Sequence, residues 1–261
     1  MSDDLDAIAT PRGARILYID LERRAGQAFV FDQKVRGGFI PVSQFTRRPE
    51  TLCLAAKWSD RKRAEFHARW DSDDPNHLAL QSWRLVDAAD IVVTYYGTGA
   101  DIPWMQGDWK RAKLPEPSPY KHVDLYRTAK RFGFVSNSLA ELCHQLGISG
   151  KQGRYSPWEA EACIEGDEKA RRRMRKYNIG DVASTLEPAF EELRPWIKGL
   201  NLSLYGEDDR RACPKCNGEE FDPAGWAVTG VTRYPAYRCR ACGGLSRGKN
   251  RAAAVPMRGI A

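Results

Sequence analysis

The segment "ILYIDLER", residues 16–23, decides the fold. Its first four residues are mostly apolar and predict a buried strand, which ends in two acids, Asp20 and Glu22. Side chains alternate across a strand, so these two carboxylates share one side and repel each other. A bound cation would relieve the repulsion, whereas two strand-end acids that face water would need none. The segment alone leaves both interpretations open.

Composition limits the class of protein. A chain of 261 residues with 42% apolar content has room for one full-sized domain and a small module. The net charge of +7 and the pI of about 9.0 favour an acidic partner, with nucleic acid the commonest. No apolar run approaches the roughly 18 to 20 residues of a membrane span, and "MSDDLD" lacks the order of a secretory signal. We expect a soluble, cytoplasmic protein without a membrane partner.

The order of elements predicts an α/β fold with a mixed sheet. Helices are expected at 76–89 and, after the loop "KLPEPSPY", along the chain to about residue 198, with Ser136 or Asn137 as one cap and a break at Pro188. Strands are expected at 14–20, 27–32, 51–57, 64–70 and 91–97. The expected organisation is a domain over 12–197, a linker over 198–210, a cysteine-rich module over 211–247 and a basic, disordered tail over 248–261.

Two further acids stand at positions where a carboxylate is costly. Asp101 follows the strand "IVVTY" after a short glycine-containing turn, and Asp181 lies on the apolar stripe of a late helix. A buried carboxylate needs a partner or a metal ion. Several carboxylates around one pocket select hard ions such as Mg²⁺ or Mn²⁺. The alternatives are an exposed helix residue for Asp181 and a helix N-cap for Asp101.

The motifs "YIDLE", "ADIVVTYYGTGADIPWM" and "YNIGDV" together resemble the DEDD exonucleases, which have the ribonuclease H-like fold. In that family an Asp-x-Glu ends the first strand, an Asp follows a later strand, and a Tyr-x-x-x-Asp lies on a late helix. Stretches such as "VDLYRTAKRFGFVSNSLAELCHQLGISGK" are similar to a bacterial and phage branch, and the likeness spans about residues 14–197. For a phage-encoded chain the expected location is the host cytoplasm.

The resemblance implies a two-metal site. Asp20, Glu22, Asp101 and Asp181 would hold two Mg²⁺ or Mn²⁺ ions, and Tyr177 would orient the attacking water, which is the tyrosine (DEDDy) subtype. A core aromatic is the alternative for Tyr177. Many relatives have Asn and Phe where this chain has Tyr96 and Ala100, which bears on how the substrate end is handled.

Two cysteine pairs predict a second metal site. "CPKC" at 213–216 and "CRAC" at 239–242 are each followed by a Gly-containing turn and are separated by β-like sequence. Cys213, Cys216, Cys239 and Cys242 thus predict a Cys₄ zinc ribbon with one structural Zn²⁺. A module this small would depend on zinc for much of its folding energy.

Several basic and aromatic residues are candidates for nucleic-acid contacts. A solvated helix face is the alternative for the basic run at 171–176, and a protein-docking role is the alternative for the ribbon. The candidates are Tyr96, Arg173, Lys176, Arg233, Tyr234, Tyr237 and Arg238.

We therefore expect a metal-dependent 3′-5′ exonuclease that acts on single strands or 3′ ends, with DNA favoured over RNA. A replication or repair protein such as a polymerase is a further candidate partner. One alternative is a catalytically silent nucleic-acid-binding or adaptor protein on a nuclease fold. Another is an RNA-directed or structure-specific nuclease with the same metal site.

Overall fold

The opening segment forms the first strand of the computed structural model, which describes residues 13–31, 38–149, 155–206 and 210–258. The helices are α1 (His77–Asp87), α2 (Asp101–Arg111), α3 (Leu125–Ala129), α4 (Leu139–Gln145), α5 (Pro157–Glu165), α6 (Glu168–Gly180) and α7 (Glu187–Leu193). The strands before the cysteine-rich module are β1 (Ile16–Arg24), β2 (Gln27–Ala28), β3 (Phe45–Arg47), β4 (Glu50–Trp58), β5 (Glu65–Ala68), β6 (Ile91–Thr94) and β7 (Lys121–Asp124).

β1 is the central strand of a five-stranded mixed sheet with the order β5-β4-β1-β6-β7. It pairs antiparallel with β4 and parallel with β6. Leu17 and Ile19 point to the side covered by α1 and α2, where they join the main apolar cluster. Because side chains alternate, Asp20 and Glu22 point to the opposite side, which faces α5 and α6. This mixed α/β sheet flanked by helices confirms the predicted fold class.

β1 is longer than expected and β7 was not predicted. β1 continues to Arg24, so Asp20 and Glu22 lie inside the strand rather than at its end. β7 is a four-residue strand in a region expected to be helical. Four residues are too few for a periodic pattern, and parallel pairing with β6, with Thr94 opposite Asp124, makes them a strand.

Other boundaries also differ from the expectation. Strand 27–32 is only β2 within its described part, 64–70 ends at Ala68, and 91–97 ends at Thr94. α4 is capped by Ser138 rather than by Ser136 or Asn137, since the Ser138 hydroxyl accepts a hydrogen bond from the Glu141 amide at 3.2 Å. Residue 12, where the predicted domain begins, residues 207–209 of the predicted linker and residues 259–261 of the predicted tail lie outside the described residues.

The late helix changes its winding in the turns before Pro188, where a break was predicted; Pro188 itself lies in α7. Between α6 and α7, the segment Asp181–Leu186 is a π-helix, in which the Glu187 amide donates to the Val182 carbonyl. Pro188 has no N–H to donate and its ring crowds the carbonyl one turn earlier, so a wider turn accommodates it. The π-helix begins at Asp181, and such segments are frequent at functional sites.

A charged clamp holds the end of β1 to α5. The Glu161 carboxylate accepts hydrogen bonds from the guanidinium groups of Arg24 and Arg47, at 2.5 Å in each ion pair. Arg24 also pairs with Glu50 at 3.0 Å. The hydrogen bonds from Arg24, followed by those from Arg47, lower the pKa of Glu161 to about 2. The clamp therefore fixes the strand just beyond Glu22.

Replacing Glu161 with Gln should lower the free energy of unfolding by about 1–3 kcal/mol at pH 7, because two guanidinium groups lose a charged acceptor. A lowered pKa stabilises the fold above the ordinary Glu value, and this stabilisation is lost as the pH falls toward 2. The difference between wild type and Glu161→Gln should therefore shrink on acidification, as read by chemical denaturation. Glu165→Gln, an exposed acid on the same helix, is the matched control. Equal effects of both variants would contradict the clamp.

The described residues from Phe190 onward belong to a second compact unit, distinct from Arg15–Ala189. The boundary at 197 and the linker over 198–210 stay predictions, and within that linker the apolar residues Leu200 and Leu202 are buried rather than solvated. The unit contains a four-stranded antiparallel sheet around β9. Its strands are β8 (Phe221–Thr229), β9 (Thr232–Cys239), β10 (Leu245–Arg247) and β11 (Ala253–Ala254).

The tail is not structureless over its described part, contrary to the expectation. β11 pairs with β9, Ala253 opposite Arg233 and Ala254 opposite Thr232. The edge of β9 beyond β10 offers backbone groups that the small residues of the tail can reach without steric hindrance. Within the part of the chain that the structure describes, none of the helices is long and apolar enough to cross a membrane.

Candidate active site

Three of the four predicted acids come together on one side of β1. Each of Asp20, Glu22 and Asp181 offers a carboxylate oxygen, and these atoms lie within 4.8 Å of one another. β1 supplies the first two by alternation, and the start of the π-helix supplies the third. Asp181 is only 2% exposed. Three oxygen ligands this close, one of them buried, fit a hard divalent ion, which would offset their repulsion.

Asp101, the fourth predicted acid, is not a member of that group but borders it. It is the first residue of α2 rather than the cap, and it is 4% exposed. Its Oδ1 accepts a hydrogen bond from the backbone amide of Leu21 at 3.3 Å. Leu21 lies between Asp20 and Glu22, so Asp101 contacts the strand at the position of the acid cluster. Burial raises the pKa of Asp101 to about 7, and the nearby charge of Asp124 acts in the same direction. Hydrogen bonds from the amides of Leu21 and of Asp101 itself act in the opposite direction.

Asp101→Asn should stabilise the metal-free protein at pH 8. With a folded pKa of about 7, the stability of the wild type is complete below the ordinary Asp pKa and falls as the pH rises through 7. The cost of ionisation at pH 8 is up to about 4 kcal/mol, and Asn avoids it while keeping an oxygen for Leu21. Thermal melting in a chelator at pH 4 and pH 8 measures this. If the difference in melting temperature between variant and wild type were the same at both pH values, the raised pKa of Asp101 would be contradicted.

Asn178 is a site residue that the sequence did not single out. It is fully buried on α6, and its Nδ2 donates to Asp20 Oδ2 at 2.8 Å and to the Asp20 carbonyl at 3.3 Å. The amide thus orients Asp20 toward Glu22 and Asp181. A signal was present in "YNIGD", because Asn178 precedes Asp181 by three residues and shares its helix face.

Tyr177 lies in the last turn of α6, is 9% exposed and precedes Asp181 by one helical turn. The spacing places both side chains on one face of the helix.

The loop that leads to Asp101 carries Tyr96, a predicted nucleic-acid contact, which is 51% exposed. Of the two predicted phosphate contacts on α6, Lys176 is exposed, whereas Arg173 pairs with Glu159 at 2.6 Å.

The four cysteines of the second unit form one cluster. Their sulfur atoms lie within 4.8 Å of one another, with Cys213 to Cys242 at 3.7 Å and Cys216 to Cys239 at 3.6 Å. Four sulfurs bound at about 2.3 Å to one tetrahedral ion stand about 3.8 Å apart, so the spacing fits zinc. A disulfide would need about 2.05 Å.

The two cysteine turns repeat the same backbone pattern. Asn217 donates to the Cys213 carbonyl at 2.8 Å, and Gly243 donates to the Cys239 carbonyl at 2.9 Å. Both donors have positive φ, 60° and 71°, which explains the Asn and Gly after each pair. Burial raises the pKa of the Cys216 thiol to about 12, so loading a metal ion would release protons.

Three arginines of the cysteine-rich module lie over aromatic rings. Arg211 stands 3.9 Å from the centroid of Tyr237, Arg233 4.5 Å from Trp226, and Arg247 3.7 Å from Tyr234. Arg238 instead donates to the Gly243 carbonyl at 3.0 Å. Residues 210–258 hold ten Lys or Arg and three Asp or Glu. The pairs fix cations and rings on one small sheet, an arrangement that can stack bases and pair with phosphates.

Comparison with known proteins identifies the fold family. The family model described as RNase_H superfamily matches residues 45–187, more than half of the chain. A search of curated proteins gives no significant match.

Among solved structures, the family B DNA polymerase from the hyperthermophilic archaeon Pyrobaculum calidifontis is similar at 18% identity and a TM-score of 0.51. The match covers 84% of this chain and 33% of the polymerase chain, so this protein spans about a third of that relative. At this identity the likeness concerns the fold alone. The match to the family model over residues 45–187, together with the five-stranded mixed sheet, leads to one conclusion: the chain belongs to the RNase H superfamily.

Proposed function

We propose that this protein is a divalent-metal-dependent nuclease that hydrolyses phosphodiester bonds from the 3′ end, with single-stranded DNA favoured. The observation that carries the proposal is the group formed by Asp20, Glu22 and Asp181, whose ligand atoms lie within 4.8 Å of one another. Membership of the RNase H superfamily and the likeness to a chain named as a DNA polymerase support a nucleic-acid substrate.

Asp20, Glu22 and Asp181 would hold two Mg²⁺ or Mn²⁺ ions together with Asp101. When bound, such ions lower the pKa of an attacking water and neutralise charge on the leaving oxygen. Asn178 keeps the Asp20 carboxylate turned toward the cluster through its 2.8 Å hydrogen bond. Tyr177, one turn before Asp181, would accept a hydrogen bond from the attacking water or donate one to it, and so orient that water.

The cysteine-rich module would hold one structural Zn²⁺ through Cys213, Cys216, Cys239 and Cys242. Its cation–aromatic pairs would retain the strand, with Trp226 at 55% exposure as one accessible ring. Arg233, Tyr234, Tyr237 and Arg238 remain proposed nucleic-acid contacts there, as do Arg173 and Lys176 on α6. A replication or repair protein such as a polymerase remains a proposed partner.

The test uses a 5′-labelled single strand with Mg²⁺ or Mn²⁺. A ladder that shortens one nucleotide at a time from the 3′ end is the expected result, and a blocked 3′ terminus should stop it. An intact strand after hours of incubation at several metal concentrations would contradict the proposal. Parallel digestion of RNA and of branched duplexes separates the DNA exonuclease from an RNA-directed or structure-specific nuclease with the same metal site.

A second candidate is a catalytically silent nucleic-acid-binding protein. The position of Asp101 outside the close group of three acids favours it. Salt-sensitive binding of DNA without any metal-dependent turnover would select this candidate over the nuclease.

A further inference from the structure

Tyr96 has a backbone conformation that bulky residues rarely adopt. Its φ is 64°, and among the described residues only Lys113 and Asn217 are other non-glycine residues with positive φ. Such a conformation costs free energy and persists only where the surroundings enforce it. Tyr96 is nevertheless 51% exposed, so burial of the ring alone does not account for the conformation.

The enforcing group is Asp124, a buried carboxylate at the end of β7. Its Oδ1 accepts hydrogen bonds from the Tyr96 amide at 2.8 Å and from the Tyr126 amide at 3.1 Å. Its Oδ2 accepts one from the Thr98 amide at 3.1 Å. The Asp124 side chain is the N-cap of α3. It also ties the backbone on both sides of Gly97 to the sheet.

The ring of Tyr96 contacts Tyr126 and lies close to Gly99. It meets Tyr126 edge to face, with centroids 4.9 Å apart and planes at 81°. A Cβ atom at Gly99 would lie 2.8 Å from Tyr96 Cζ, so a larger residue there would displace the ring. The result is an aromatic ring with a fixed position and half of the residue open to solvent.

This fixed ring is on the loop that delivers Asp101 to the acid cluster. The Ile102 amide donates to the Gly97 carbonyl at 3.0 Å, which joins the loop to the first turn of α2. Asp101 in turn accepts from Leu21, between Asp20 and Glu22. These hydrogen bonds thus connect the loop that carries the ring to the strand of the proposed metal-binding acids.

We propose that Tyr96 is a base-stacking subsite for the terminal nucleotide of the strand, an inference that rests on the proposed nuclease function. A flat, preorganised and exposed ring suits the π-face of a nucleobase, which all four bases share. The subsite therefore makes cleavage depend on the presence of a terminal base and little on its identity. Tyr96 acts as a binding residue and takes no part in proton transfer.

The experiment compares Tyr96→Gly and Tyr96→Phe on two labelled strands, one with a normal 3′-terminal nucleotide and one with an abasic terminus. Glycine accepts the positive φ without strain, so Tyr96→Gly should fold and melt at a temperature close to that of the wild type. It should lower kcat/KM on the normal strand by about 5- to 150-fold, mainly through KM. On the abasic strand it should change little. Tyr96→Phe keeps the ring and should therefore keep the preference for the normal strand over the abasic one.

Equilibrium binding of the same two strands to Asp181→Asn protein reads the subsite without cleavage. Asp181→Asn protein that retains Tyr96 should bind the normal strand more tightly than the abasic one, and adding Tyr96→Gly should remove this difference in affinity. Equal losses on both strands, or a wild type that does not distinguish them, would overturn the subsite while leaving the nuclease intact. If the wild-type protein binds the normal strand better than the abasic one but never cleaves either, the stacking subsite is supported and the proposed nuclease function is contradicted.

Discussion

Asp181→Asn should lower metal-dependent cleavage by at least about 10³-fold, because a buried carboxylate that is proposed to bind the two metal ions loses its charge. Asp20→Asn should have an effect of the same order. Asn is close to Asp in shape, and it removes one of three repelling carboxylates. The melting temperature of the metal-free variant should therefore be unchanged or higher than that of the wild type.

Asp73→Asn is the matched control, since Asp73 is an exposed acid outside the cluster. It should retain wild-type cleavage. Single-turnover cleavage of a 5′-labelled strand together with thermal melting of each variant makes the comparison. Lost activity that is accompanied by a collapsed fold, or full activity of Asp181→Asn, would remove the catalytic assignment.

Cys216→Ser should abolish zinc retention and unfold the cysteine-rich module. Structural zinc contributes roughly 10–16 kcal/mol of apparent binding free energy in small zinc-finger peptides, far more than a module of this size gains from its apolar contacts. None of the aromatic rings in the described part of this module is fully buried: Trp226 is 55% exposed, and Phe221, Tyr234 and Tyr237 are only partly buried. Without the ion, few buried apolar contacts would stabilise the hairpin of β8 and β9.

Metal analysis and limited proteolysis test this prediction. Wild-type protein should contain one zinc ion per chain, and Cys216→Ser none, with early cleavage appearing within residues 210–258. Cys143→Ser changes a buried cysteine outside the cluster and should keep the full zinc content. A zinc-free wild type with a protease-resistant module would show that the ribbon does not need the metal.

The parts of the site that follow from local spacing could be predicted from the sequence. Alternation along a strand places Asp20 and Glu22 on one side of β1, and the CxxC turns need only a few residues to aim both sulfurs at one ion. Helical periodicity similarly indicates a buried Asp181. Each of these rules depends on neighbours in sequence.

The parts that depend on distant partners could not be predicted in this way. β7 is a strand only because β6 pairs with it, and Asp101 reaches Leu21 only through the arrangement of β1 beside β6. Glu161 joins two arginines from separate strands, and nothing near it in sequence points to them. The positive φ of Tyr96 could not be predicted either, because tyrosine is not a residue type that favours this conformation.

The predicted break at Pro188 illustrates an intermediate case. The sequence locates the disturbance, since proline removes a donor from the helix. It does not determine the form of the disturbance, because a kink, a break and a π-helix all accommodate a proline. The π-helix that forms starts at Asp181 and so fixes where this carboxylate lies relative to β1.

The most direct test of the central claim is a crystal structure of the full chain soaked with Mn²⁺, with anomalous scattering used to locate the ions. We expect two Mn²⁺ ions among Asp20, Glu22 and Asp181, with the Asp101 carboxylate drawn in as a further ligand. Crystals that show no ion there at millimolar Mn²⁺, or one that avoids Asp20 and Asp181, would contradict a two-metal nuclease site.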